Sequence, residues 1–136
     1  MENIIVNKLD HQRLWECIQQ EKSKPRRQED SLRKLSEELS RALLYPPTEI
    51  PPDIVTMNSE VTITNLSNNQ RQTIKLVYPA EANIAVKRIS IFAPIATALL
   101  GYRVGDIIEW AVPQGTTSIR IDAIVYQPEA SGDYTL

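Results

Sequence analysis

Ile89-Ser90-Ile91-Phe92-Ala93-Pro94-Ile95-Ala96-Thr97-Ala98-Leu99-Leu100-Gly101-Tyr102-Arg103-Val104-Gly105-Asp106 decides the fold of this chain. Its first four residues are rich in β-branched and aromatic side chains and predict a strand. Pro94 sits where a helix tolerates proline, in the first turn, so residues 95–100 predict a short helix that Gly101 can end. Gly105-Asp106 then turns the chain into a strand over Ile107–Val112. Pro113-Gln114-Gly115 makes a further turn, and Ile119, Ile121, Ala123 and Val125 alternate through the longest strand. Upstream, residues 54–57 are a short apolar run, and 60–64 alternate polar and apolar with the period of a half-buried strand. Ser67-Asn68-Asn69-Gln70 is turn chemistry, 73–78 reads as the returning strand, and Pro79 closes it. Residues 53–136 therefore predict a small antiparallel sheet with one short helix.

The first 45 residues have a different character. Leu14, Cys17 or Ile18, and the stem of Glu21 share one helical face, in a helix expected over residues 10–22 with Asp10 as its N-cap. Pro25 interrupts it. Leu32, Leu35, Leu39 and Leu43 then recur at helical spacing until Pro46. Two such helices most simply form an antiparallel hairpin projecting roughly 20 Å, with Trp15 packed against the second helix or the domain behind. The tip carries Lys22, Lys24, Arg26 and Arg27, followed by Glu29 and Asp30. A charge run of this kind serves most simply to solvate an exposed turn; the functional reading is a finger whose charged end touches a partner. Four prolines among residues 46–52 make that seam a stiff connector. The division is 1–45 hairpin, 46–52 linker and 53–136 sheet domain, and the class is α+β.

Composition narrows the function. The chain of 136 residues is 42% hydrophobic and 24% charged, which is globular. Fifteen Lys and Arg face seventeen Asp and Glu, so the strong positive excess of a dedicated nucleic-acid binder is lacking. One Cys and one His exclude a Cys/His metal cluster and an internal disulfide. The first ten residues hold only Ile4, Ile5 and Val6 as an apolar run, which predicts no signal peptide, and no run approaches the ~20 apolar residues of a membrane span. The expectation is a soluble, cytoplasmic protein.

No catalytic constellation emerges. His11, the sole imidazole, is expected on the helix surface, and Cys17 as a buried thiol without function. The glycines of Gly101-Tyr102-Arg103-Val104-Gly105 lack the spacing of a phosphate-binding loop. Neighbouring carboxylates Glu37 and Glu38 point apart on a helix, which leaves Glu29 and Asp30 as the one pair able to converge on a divalent ion. No cofactor and no metal site are expected.

Residues 89–106 resemble the C-terminal domain of the bacterial transcript cleavage factors GreA and GreB, whose pattern is strand, Ser-Pro-(Ile/Leu), short Ala/Leu helix and Gly-x-x-x-Gly-Asp. Three further blocks resemble a related family of regulators of nucleoside diphosphate kinase: Asp53-Ile54-Val55-Thr56-Met57-Asn58-Ser59, Leu76-Val77-Tyr78-Pro79-Ala80, and Tyr126-Gln127-Pro128-Glu129-Ala130-Ser131-Gly132-Asp133-Tyr134. The resemblance implies an FKBP-like domain that docks on RNA polymerase at the rim of its secondary channel, with the finger pointing inward. Carried over, the docking surface includes Phe92, Ala93, Pro94 and Ile95, although core packing alone also accounts for Ile95. Phe92 stands where the cleavage factors often have a polar or acidic residue. Cleavage factors need a long hairpin with acids at its tip to help hold Mg²⁺; here the finger tip is Lys24, Arg26, Arg27, Glu29 and Asp30, on a shorter hairpin. The implied function is a regulator that binds polymerase without RNA cleavage and competes with longer factors, any nucleic-acid contact being indirect. The alternative is cleavage stimulation through Glu29 and Asp30. A remote third is prolyl isomerisation, which needs an aromatic pocket where this domain has Phe92, Trp110 and a few tyrosines. An effect on nucleoside diphosphate kinase would be regulatory, since no credible catalytic histidine exists.

Overall fold

The computed structural model describes residues 4–22, 29–112 and 115–132. In chain order the elements are β1 (Ile5–Asn7), α1 (Lys8–Lys22), α2 (Glu29–Arg41), β2 (Leu43–Tyr45), β3 (Glu60–Asn65), β4 (Gln70–Val77), β5 (Arg88–Ser90), α3 (Pro94–Leu99), β6 (Ile107–Val112) and β7 (Gly115–Tyr126). Five strands form one sheet in the order β5-β4-β3-β7-β6, and β1 and β2 make a separate parallel ribbon. The class is α+β, as the order of elements in the sequence implies.

The sheet is antiparallel except at one edge, where β5 runs parallel to β4 in the register Lys75↔Arg88 to Val77↔Ser90. The expectation of an antiparallel pairing there is corrected by the connection: single 3-10 turns at Pro79–Glu81 and Ile84–Val86 carry the chain back along β4 before it pairs. Parallel strands need such a crossover, whereas a tight turn would have reversed the direction. β5 also stops at Ser90 and not at Phe92, because Phe92 N–H donates to Ser90 Oγ and Ala93 N–H to the Ser90 carbonyl. Residues 54–57 are buried yet belong to no strand; Val55 N–H donates to the Tyr102 carbonyl and the Val55 carbonyl accepts from Gly101 N–H.

Two boundaries at the N-terminal end depart from the sequence pattern. Residues 5–7 are extended and pair with β2, so α1 must begin immediately after Asn7. Asn7 is the cap: its Oδ1 accepts the Asp10 backbone N–H at 2.7 Å, which puts Asp10 in the first turn and not at the N-cap. Helix α2 ends at Arg41, and Leu43 is 46% exposed on β2, although its spacing continues the buried stripe. Leu32, Leu35 and Leu39 are buried as that stripe requires.

The core is continuous. Leu14 and Ile18 of α1, Leu32, Leu35 and Leu39 of α2, the inner face of the sheet and the buried side of α3 form one cluster. Helices α1 and α2 are thus packed into the sheet's own core, at about 1.5–3 kcal/mol for each fully buried Leu or Ile. Ile5, Ile50 and Ile54, with Tyr45, make a smaller cluster under the proline-rich seam, which holds a 3-10 turn at Pro47–Glu49 between extended residues Pro46 and Ile50. No helix among the described residues is long and apolar enough to cross a membrane.

Candidate docking surface and its joint

The loop at Phe92–Ile95 is built by hydrogen bonds on both sides. Ile91 N–H donates to the Val77 carbonyl, and Thr97 Oγ1 donates back to the Ile91 carbonyl at 2.6 Å, fixing the start of α3 against the end of β5. Pro94 occupies the first turn of α3, where its missing N–H leaves nothing unpaired. Pro94 is exposed, Ala93 and Ile95 are half-buried, and Phe92 is buried at 3% exposure. The loop therefore presents Ala93, Pro94 and Ile95, with Phe92 turned inward as their support.

At the far end of α3, Gly101 has φ +83°, and a Cβ there would lie 2.4 Å from Ile4 Cβ. Glycine is required twice over, by the left-handed backbone and by the close approach of the N-terminal segment. Ile5 N–H also donates to the Gly101 carbonyl. This contact ties the segment leading into α1 to the end of α3, the helix that begins at Pro94.

A buried polar cluster joins the start of α1 to Thr56, to Tyr78 just after β4 and to Glu129 just after β7. Asn7 Nδ2 donates to Asp10 Oδ2 and to Glu129 Oε2, so one amide bridges two carboxyl groups. Thr56 Oγ1 donates to Glu129 Oε1 at 2.9 Å, and the Tyr78 hydroxyl donates to Asp10 Oδ1 at 3.2 Å. Asp10 is 1% exposed and Glu129 8%. Burial, then the charge of Glu129, push the Asp10 carboxyl up to about 7, against the Tyr78 and Met57 hydrogen bonds and the Arg13 charge, which act the other way. The Tyr78 phenol is raised well above its usual range by burial and then by the Asp10 charge. His11 and Trp15 complete the joint on the α2 side. His11 Nε2 lies 3.1 Å from both the Trp15 indole N–H nitrogen and the Leu39 carbonyl oxygen, accepting from the first or donating to the second according to tautomer. His11 is half-buried, not a surface residue, and ties α1 to α2.

A groove runs along α1 beside this cluster. A hollow of about 400 Å³ is lined by Arg13, Glu16, Cys17 and Gln20 on one wall and by Asn58, Tyr78 and Glu81 on the other. A second hollow shares Cys17, Gln20 and Tyr78 and reaches Phe92, so the groove leads to the loop at Phe92–Ile95. Cys17 is half-buried and free; burial, then Glu16 and Glu21, raise its thiol above the usual range, which disfavours thiolate chemistry. Of the finger-tip residues, Lys24, Arg26 and Arg27 lie outside the described residues. Glu29 and Asp30 open α2.

The profile described as "Transcription elongation factor, GreA/GreB, C-term" matches residues 50–126. The chain is 42% identical over 134 residues, 98% of its length and 96% of the relative's, to "Regulator of nucleoside diphosphate kinase" of Escherichia coli K12. The chain belongs to the GreA/GreB family. A family member of Thermus thermophilus named "Transcription inhibitor protein Gfh1" is 33% identical over 111 residues, 80% of this chain and 68% of that protein. The solved structure of a "Prokaryotic transcription elongation factor GreA/GreB from Nitrosomonas europaea" superposes with a TM-score of 0.75 at 37% identity, covering 93% of this chain and 100% of that one.

As a GreA/GreB-family protein, the chain brings together what its sequence blocks left separate. Thr56, Tyr78 and Glu129 come from three distant blocks and are joined to Asp10 directly or through Asn7, with Ser59 bonded to Thr56. Sequence reasoning missed this joint. A buried Asp10 and Glu129 look like ordinary surface acids until the chain is folded. The usable signal was that the three blocks carrying the family likeness have no catalytic residue to account for them.

Proposed function

We propose that this protein is a non-catalytic transcription regulator that docks on RNA polymerase through the Ala93-Pro94-Ile95 loop, at the rim of the secondary channel. The finger, residues 1–45, enters the channel, and residues 53–136 hold the dock. The observation that carries the absence of cleavage is the length of the hairpin. Helix α1 has 15 residues, about 22 Å at 1.5 Å per residue, and its first turn is sunk in the joint. Oxygen ligands hold Mg²⁺ at ~2.1 Å, so a carboxylate a few ångströms short of the metal does not ligate it. The reading gives competition with longer family members, a cytoplasmic location, and contact with nucleic acid only through the polymerase. His11 has its ring nitrogen engaged at the hairpin base, which supports a regulatory and not a phosphotransfer link to nucleoside diphosphate kinase.

The test is a paired assay on core RNA polymerase. Binding of the protein, with displacement of a longer Gre factor and no RNA release from a backtracked elongation complex, is the expected result. RNA release that disappears in Glu29→Ala/Asp30→Ala would establish the cleavage reading instead, and no binding at all would remove both.

A further inference from the structure

The groove between α1 and the sheet domain contains a buried side chain with no protein partner. Asn58 is 3% exposed and lines the hollow of about 400 Å³, yet its carboxamide makes no hydrogen bond among the described residues. Its backbone lies in the left-handed region, φ 64°, with the Asn58 N–H donating to the Leu76 carbonyl at 2.6 Å. Buried amides are nearly always satisfied, so an unpaired one at a cavity wall points to a ligand that supplies the missing bonds. The charge of the lining names its chemistry. Glu16 and Glu81 face one cation, Arg13, whose charge also acts on the buried Asp10, and Glu21 adds a further acid where the groove continues towards Phe92.

We infer that this groove takes an arginine side chain from the protein docked on the adjoining loop. A guanidinium presents a planar fork of N–H donors: one edge can serve the Asn58 carbonyl oxygen while another pairs with the Glu16 or Glu81 carboxylate. A lysine ammonium is a compact, strongly hydrated point charge without the planar fork that serves an amide oxygen and a carboxylate together. Tyr78 lines the hollow with its hydroxyl already donated to Asp10, so its ring is the part left to meet a guanidinium plane. Seating the arginine fills the space between α1 and the sheet and so holds the finger at one angle to the dock. The identity of the partner rests on the polymerase reading above; the arginine chemistry does not.

The test uses the intact chain, ¹⁵N-labelled, titrated with Nα-acetyl-arginine methylamide and with the lysine analogue at equal millimolar concentrations. The arginine probe is expected to shift the Asn58 side-chain NH₂ resonances and the backbone amides of Cys17 and Tyr78, and the lysine probe to leave them in place. In Glu16→Gln/Glu81→Gln the arginine response should weaken about tenfold. Asn58→Gly keeps the left-handed backbone and deletes the amide; it should lose the response at Cys17 and Tyr78 and bind core RNA polymerase about tenfold more weakly, with the rest of its spectrum unchanged. An equal response to the lysine probe, no response to either, or wild-type polymerase affinity in Asn58→Gly would overturn the inference. An arginine response in a protein that binds no polymerase would overturn the polymerase reading alone and leave the site to a different arginine-bearing partner.

Discussion

Asp10→Asn should change how the stability of this protein depends on pH. The folded-state carboxyl is raised to about 7 from 3.8, so between those values the folded chain keeps a proton that the unfolded chain has released. Folding stability is then full below pH ~4, falls as pH rises through the window, and levels off above pH ~7. Each pH unit between the two values is worth about 1.4 kcal/mol, so the whole window corresponds to a loss of about 4 kcal/mol between pH 4 and 8. Asn is neutral throughout and nearly isosteric. Its Oδ1 can accept from Asn7 Nδ2 while its Nδ2 donates to the Tyr78 hydroxyl, which can accept as well as donate. The variant should therefore match the wild type near pH 4 and exceed it by up to about 4 kcal/mol at pH 8. Urea unfolding followed by far-UV circular dichroism at half-unit pH steps measures both curves. All other titratable groups are common to the two chains, so their difference isolates Asp10 and its coupling to Glu129. A difference that stays flat from pH 4 to 8, or that favours the wild type at pH 8, would refute the claim that Asp10 is buried against Glu129.

Packing sets three further outcomes. Gly101→Ala should destabilise by about 2–5 kcal/mol, because it adds the left-handed strain of a non-glycine residue to a clash with the root of the Ile4 side chain; thermal melts read the loss directly. Leu35→Ala, at a residue 1% exposed in the shared core, should cost about 2–5 kcal/mol in chemical denaturation and unfold hairpin and sheet in a single transition. Asn58→Gly, by contrast, should stay within about 1 kcal/mol of the wild type in the same measurement, since relief of an unpaired buried amide and of left-handed strain offsets the added freedom of glycine in the unfolded chain.

The sheet was legible because its residues announce a period. Strand β6 falls on Ile107–Val112 as read, and the alternation of Ile119 and Ile121 lies within β7 with both side chains buried. Pro94 and Gly101 bracket α3 as local chemistry requires. What was not legible depends on partners far along the chain. Residues 5–7 are too few to display an alternation, and become a strand only because β2 lies alongside. Leu43 continues the helical spacing of Leu35 and Leu39, yet the same parallel pairing removes it from the helix. The candidate site divides the same way. The loop at Phe92–Ile95 could be placed from a local motif, whereas Asn7, Asp10, Tyr78 and Glu129 are adjacent only in space, with 68 positions from Asp10 to Tyr78 and 122 from Asn7 to Glu129.

The same contacts bear on how the proposed finger is aimed. The apolar contacts at the hairpin base resist separation but tolerate some rotation, because dispersion and burial are weakly directional. Hydrogen bonds from Asn7 and Tyr78 to Asp10 are directional, and Asn7 also caps α1 through its Oδ1. One amide side chain therefore sets both where α1 begins and which buried carboxyl groups it is bonded to, so the helix axis cannot turn without breaking bonds inside the core. Gly101 fixes the strand leading into that amide against the end of α3, and α3 starts at the exposed Pro94. A partner resting on Pro94 is thus connected to the direction of α1 through a continuous packed path: α3, Gly101, Ile4–Ile5, Asn7, Asp10. If that path is what aims the finger, Asn7→Ala should loosen α1 without unfolding the sheet. Faster amide hydrogen exchange in α1 with unchanged protection in β3 and β7 is the expected pattern, and uniform protection in all three would show that the apolar base alone aims it.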